Sequence, residues 1–185
     1  MVFSKWRLKD VLITTFIAII TGIVFYSFDL IYNLVYASLA TTGWVLIVGE
    51  AVDGLWCIAG PITFMITRLP GSAVFAETLG ALIASLLGGT GFGGITEGLF
   101  QGLGFEIAFL VFKYKYFNFK VLALGAFLDT ITSFIADLFV QSYLKLQVHV
   151  LIIYFLVRLV SMIIFTLLLV YLIWKIFQKT KILKT

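Results

Sequence analysis

From Val11 to Ile176 the chain is a succession of hydrophobic runs, and its carboxylates fall mostly inside those runs rather than between them. A helix that crosses the hydrocarbon core needs about 20 predominantly apolar residues. Six segments meet or approach that length: 9–28, 44–67, 71–87, 92–112, 121–143 and 148–177, the third being the shortest and richest in small residues. The intervening stretch 29–42 carries Asp29, Tyr32, Asn33 and Tyr36 and is too polar for a span. It suits an amphipathic hairpin or lid on the outer face. The pattern predicts an all-α integral membrane protein, a bundle of six transmembrane helices forming one domain over 1–185.

The placement of cations orients the bundle, because Lys and Arg are retained on the cytoplasmic side. With six spans and the N-terminus inside, Lys5, Arg7, Lys9, Arg68, Lys113, Lys115, Lys120, Lys175, Lys179, Lys181 and Lys184 all fall at cytoplasmic ends, while the outer loops hold only Lys145. Removing the third span would carry Lys113, Lys115 and Lys120 to the wrong side, so the even count stands. Both termini are expected in the cytoplasm and the protein in the cell membrane. The basic start followed by an apolar run resembles a signal peptide, but the run is longer than such regions and no A-x-A site follows Phe28. It reads as a retained first helix.

Composition agrees: 62% of the 185 residues are hydrophobic and 12% charged, against about 25% charged in soluble domains, and the mean hydropathy is +1.15. The net charge of +4 does not indicate nucleic acid, since the lysines sit at helix ends rather than in a basic stripe. Cys57 and His149 are the single residues of their kinds. No internal disulfide and no cysteine- or histidine-based metal site follows from them, and Cys57 reads as a packing residue.

An ionisable group at membrane depth is costly and ordinarily faces a cavity, an ion pair or a substrate path. Glu50, Asp53, Glu77, Glu97, Glu106, Asp129, Asp137 and Arg158 all lie in apolar runs. Residues four apart share a helix face, so Asp129, Ser133, Asp137 and Gln141 form one polar row facing the bundle interior. Glu97 and Gln101 form a shorter row beside the small-residue face of Gly94, Gly98 and Gly102, which lets another helix approach. In the orientation above, Glu50, Asp53, Glu97, Asp137 and Gln141 occupy the outer half with the aromatic residues of the first loop and His149. This describes an outward acidic pocket with aromatic walls, suited to a small organic cation or a hydrogen-bonding heterocycle. Arg158 reads as a structural partner for Asp129 or Glu106. Thr14, Ala18 and Gly22 make a small-xxx-small face that serves either packing within the bundle or docking to another membrane protein.

Enzymatic chemistry has little support. Gly89 to Gly94 matches G-x-G-x-x-G, but no strand precedes it and it falls in a loop; neither a P-loop nor H-E-x-x-H nor G-x-S-x-G occurs. Any ATP-driven step therefore needs a partner. No cofactor is expected.

Several strings are more specific. Asp29, then Gly54-Leu55-Trp56-Cys57-Ile58-Ala59-Gly60-Pro61, Arg68-Leu69-Pro70-Gly71-Ser72-Ala73 with Glu77 following, and Gly98-Leu99-Phe100-Gln101-Gly102-Leu103-Gly104-Phe105-Glu106 resemble the YkoE family. Its members are substrate-binding S components of energy-coupling factor (ECF) ABC-type transporters associated with thiamine and its hydroxymethylpyrimidine precursor. The resemblance covers the chain through the fourth segment. It implies the six-helix S-component fold, an outward vitamin site, and a complex with a transmembrane coupling protein and two cytoplasmic ATPases. In that setting Ala18 and Gly22 become the docking face. Trp56 with Tyr32 or Tyr36 would stack on a ring, Glu77, Gln101 and Glu106 would hydrogen-bond the aminopyrimidine, and Asp29, Glu50 or Asp137 would offset positive charge. Two other readings stay open from the residues themselves: a stand-alone ion- or proton-coupled carrier for a small organic cation, relayed through the Asp129–Asp137 row, and a structural membrane subunit.

Overall fold

A computed structural model describes residues 5–39, 45–88 and 91–180. Helix α1 runs Leu8–Leu39, α2 Val45–Val52, α3 Ala59–Thr67, α4 Ser72–Leu86, α5 Phe92–Val111, α6 Phe119–Val140, α7 Val148–Ser161 and α8 Leu169–Lys179. A 3-10 turn, Asp53–Trp56, joins α2 to α3, and a π-helical turn, Met162–Leu168, joins α7 to α8. Among the described residues, five stretches are long and apolar enough to cross a membrane: Leu8–Leu39, Ile47–Thr67, Phe92–Val111, Phe119–Val140 and Val148–Lys179; Ser72–Leu86 is a shorter apolar helix.

Helix α1 departs from expectation. It does not stop near Phe28 for a hairpin or lid but continues unbroken through Leu39. At 32 residues it is about 48 Å long, well beyond the hydrocarbon thickness of about 30 Å. The polar Asp29, Tyr32 and Tyr36 recur at helical spacing on one side, while Leu30, Ile31 and Leu34 remain exposed on the other. Local periodicity thus carries the helix through a stretch whose mean polarity suggested a break. Residues 40–44, 89–90 and 181–185, among them Trp44, Lys181 and Lys184, lie outside the described residues.

The short α4 packs between α1, α3 and α5, which is why it tolerates its length. Its small residues Ser72, Ala73, Ala76, Gly80 and Ala84 are buried, and glycines on the facing helices bring backbones close. A Cβ on Gly22 of α1 would lie 2.7 Å from the carbonyl oxygen of Gly80, and one on Gly102 of α5 would lie 2.6 Å from Cα of Val74. Ala18 and Gly22 are therefore covered by this chain's own α4, and Ala18 is fully buried. The expectation that they dock a partner is corrected: the face is already used inside the bundle.

One end of the bundle is closed by aromatic packing. Phe64 stacks on Phe109 with centroids 3.8 Å apart, Phe117 meets both rings and also Trp174, and the Arg68 guanidinium sits 5.0 Å from the Phe117 centroid. Trp6 Nε1 donates to Pro70 O at 2.9 Å at the same end. The start of α1 and the α8 segment around Trp174 therefore lie together, and Asp29, Glu50, Asp53, Glu97 and Asp137 collect at the opposite end.

Candidate ligand-binding site

At that opposite end a cavity of about 200 Å³ is framed by the second half of α1, by α2 and the 3-10 turn, by the end of α4, the first half of α5, the end of α6 and the last turn of α7. Asp29, Tyr32, Tyr36, Glu50, Trp56, Gln101 and Asp137, all singled out from the sequence, line it. Asp53, Glu97, Gln141, Tyr143 and Arg158 line it as well. His149 is exposed and is not among the lining residues.

Electrostatics organise the floor. The Arg158 guanidinium is 2% exposed. Its Nε donates to Glu50 Oε2 at 2.6 Å, its Nη2 to Glu50 Oε1 at 3.0 Å and also to Asp137 Oδ2, and its Nε lies 3.7 Å from Asp53 Oδ2. A fork of this kind suits arginine, whose planar donors match a carboxylate edge. The expected pairing of Arg158 with Asp129 or Glu106 is thus overturned, because α2 and the end of α6 reach α7 where those two residues do not. Tyr143 donates to Glu50 Oε1 at 2.6 Å, and burial raises its phenol above the ordinary range, so it remains a donor. Asp53 Oδ2, Asp137 Oδ1 and Arg158 Nη1 have no hydrogen-bond partner among the described residues.

The wall is aromatic. Trp56 Nε1 donates to Asp29 Oδ1 at 3.0 Å, which holds the indole edge-on to Phe28 at 6.0 Å and Tyr32 at 6.1 Å; Tyr32 is 5.7 Å from Tyr36. At the rim Gln141 Nε2 donates to Glu97 Oε1 at 2.7 Å, tying α6 to α5.

Two carboxylates expected at the ligand are used elsewhere. Glu77, 1% exposed, accepts the Gly60 N–H at 2.5 Å and so caps the restarted helix α3. Glu106 accepts the N–H groups of Gly71 at 2.5 Å and Ala73 at 3.1 Å, capping α4. Neither is among the residues lining the cavity. A negative group at a helix N-terminus meets both the orphan donors and the dipole, so these are corrections with a clear cause. Replacing Glu106 by glutamine is expected to cost about 1 kcal/mol of stability and to leave ligand affinity within about twofold. Thermal unfolding and a ligand titration on the same sample check both.

Asp53 and Glu97 fell outside the ligand assignments drawn from the resemblance, although their depth and sign placed them in the acidic pocket read from the residues. Arg158 was missed as a wall residue because its partners are 108 and 21 positions away.

A multi-helix membrane bundle with a charged, aromatic-walled cavity at one end is the architecture of a transporter's substrate-binding component. The chain belongs to the family described as "ABC-type cobalt transport system, permease component", whose model matches residues 9–132. It is 32% identical over 159 residues, 85% of this chain and 77% of the relative, to the "Putative HMP/thiamine permease protein YkoE" of Bacillus subtilis (strain 168). It also superposes on a solved S-component of an ECF transporter with a TM-score of 0.85 and 31% identity, covering 96% of this chain and 88% of that one. The resemblance to YkoE therefore holds, and the chain is a multi-pass membrane transport component of S-component fold rather than an enzyme.

Proposed function

We propose that this chain captures thiamine or its hydroxymethylpyrimidine precursor from outside the cell as the S component of an ECF-type uptake system. The observation that carries the reading is the cavity itself, which Asp29, Glu50, Asp53, Glu97 and Asp137 line together with the Arg158 guanidinium and the aromatic side chains of Tyr32, Tyr36 and Trp56. The carboxylates exceed the cations, so an organic cation gains where an anion is repelled. Tyr32, Tyr36 and Trp56 add faces for an aromatic ring or a cation. Cobalt, in the family's description, has less support: among the described residues no three His, Cys, Asp or Glu side chains are grouped to hold a metal ion.

The cavity lies at the end opposite Trp6, Arg68, Lys113, Lys115, Lys120 and Lys175. In this reading both termini face the cytoplasm and the cavity mouth opens outside the cell membrane, an orientation that the positive-inside bias supports. A transmembrane coupling protein and two cytoplasmic ATPases would supply the energy that this chain has no P-loop to extract. Gln101, Asp137, Glu50 and Asp29 are the polar ligand contacts of this reading, and Trp56 with Tyr32 the stacking pair.

Thiamine carries a fixed positive charge and hydroxymethylpyrimidine does not, so the charge excess should favour thiamine. Titration of the detergent-purified chain, read by tryptophan fluorescence, is expected to give saturable binding of both with thiamine at least about tenfold tighter. No response to either would overturn the reading. In proteoliposomes the chain alone should bind but not accumulate ligand under an ion gradient. Accumulation would favour the stand-alone carrier.

A further inference from the structure

The second span is interrupted where it meets the cavity. Helix α2 ends at Val52, the 3-10 turn covers Asp53–Trp56, Cys57 and Ile58 are non-helical, and α3 starts at Ala59. A break at membrane depth frees backbone donors and acceptors that no water can satisfy, so they must be met by protein. At Gly54 both are met by one neighbour. Its N–H donates to Ser161 Oγ at 3.0 Å, and its C=O accepts from Thr166 Oγ1 at 2.8 Å.

Two departures from regular structure make this clasp. A Cβ at position 54 would lie 2.6 Å from the carbonyl oxygen of Ser161, so the two backbones touch only because Gly54 has none. The last span also changes register at the same point. In an α-helix the residue one turn below Ser161 on the same face is Phe165, four positions on. The π-helical turn Met162–Leu168 brings the fifth position, Thr166, there instead. The result is a pair of hydroxyls one turn apart that straddle Gly54, with Ser161 2% and Thr166 0% exposed.

The clasp lies among cavity residues without being one of them. Asp53 and Trp56, on either side of Gly54, line the cavity, as does Arg158 one turn before Ser161; Ser161 and Thr166 do not. We propose that Ser161 and Thr166 are positioning residues for ligand capture, clasping Gly54 so that the 3-10 turn presents Asp53 and Trp56 to the ligand. The inference rests on the ligand-capture reading above. Without the clasp the Gly54 carbonyl and N–H lose their partners, the turn relaxes toward other donors, and the two cavity residues it carries are displaced.

Thr166 is the more diagnostic position, since valine keeps its shape and removes the hydroxyl while serine keeps the hydroxyl and removes a methyl group. In a background where Trp56 is the only tryptophan (Trp6→Phe, Trp44→Phe, Trp174→Phe), the emission maximum and acrylamide quenching of Trp56 are read without ligand. Thiamine and hydroxymethylpyrimidine are then titrated. Thr166→Val is expected to shift the emission and weaken the better ligand about tenfold, the consequence of one lost hydrogen bond, and Thr166→Ser to restore both to within about twofold. Parental emission and affinity in Thr166→Val, or a serine variant as impaired as the valine one, would overturn the clasp. If Thr166→Val does not fold, Ser161→Ala, which removes only the acceptor for the Gly54 N–H, is read in the same way. A parent that binds neither compound counts against the ligand reading alone, because the emission of Trp56 still decides the clasp.

Discussion

Replacing Arg158 by methionine is expected to destabilise the protein by about 3–5 kcal/mol and to abolish ligand binding. The substitution keeps much of the side-chain length but leaves Glu50, 1% exposed, and Asp137, 5% exposed, as buried carboxylates without their cation. Breaking one side of a buried pair costs this much because the charge left behind cannot be hydrated. Arg158→Lys should fall between wild type and methionine, since a point charge cannot serve the Glu50 fork and Asp137 together. Adding Glu50→Gln to Arg158→Met should recover part of the stability and none of the binding. Unfolding in detergent, followed by size-exclusion chromatography, reads the first effect and ligand titration the second. If Arg158→Met is as stable as wild type, the network is not what holds α2, α6 and α7 together.

The second large effect is steric. Gly102→Leu is expected to cost at least about 1–3 kcal/mol, because a Cβ there meets Cα of Val74 at 2.6 Å and the carbonyl oxygen of Ala73 at 3.1 Å. Backbone cannot rotate away as a side chain can, so α5 must separate from α4. That movement also shifts Gln101 and Glu97 from the cavity wall and Glu106 from the α4 cap. Gly93→Leu on the same helix is the control, since among the described residues its Cβ would meet only the side-chain Cγ1 of Val140, at 3.1 Å. Expression of monodisperse protein should fall for Gly102→Leu and remain near wild type for Gly93→Leu. Equal behaviour would mean that the α4–α5 contact is looser than these distances.

These contacts explain why the G-L-x-Q-G-L-G-x-E string was informative for family and misleading for role. Its glycines at 98 and 102 admit α4, Gly104 admits α6, Gln101 faces the cavity and Glu106 caps α4. One short run of sequence thus serves packing, ligand wall and capping at once, and a motif compared as a string does not separate those uses. Glu77 and Glu106 were assigned to the ligand through the family resemblance, each being an ionisable group in one of its strings or following one. The alternative, a backbone N–H at the start of another helix, depends on where that helix starts. Ala18 and Gly22 were ambiguous in the same way, since small-residue spacing says that a helix approaches closely and not which helix.

The all-α class and the succession of apolar helices were legible in the sequence alone, for a physical reason. In hydrocarbon a helix satisfies its own backbone, so twenty apolar residues specify their structure without reference to the rest of the chain. What only the tertiary structure decided is every feature where two distant segments meet. The break at Asp53–Ile58, the π turn at Met162–Leu168 and the choice of Glu50 and Asp137 over Asp129 for Arg158 are of this kind. Most of these satisfy polar groups across separations such as the 108 residues between Glu50 and Arg158 or the 107 between Gly54 and Ser161. Their energies depend on juxtaposition, and a linear pattern of hydrophobic and polar positions carries no term for it.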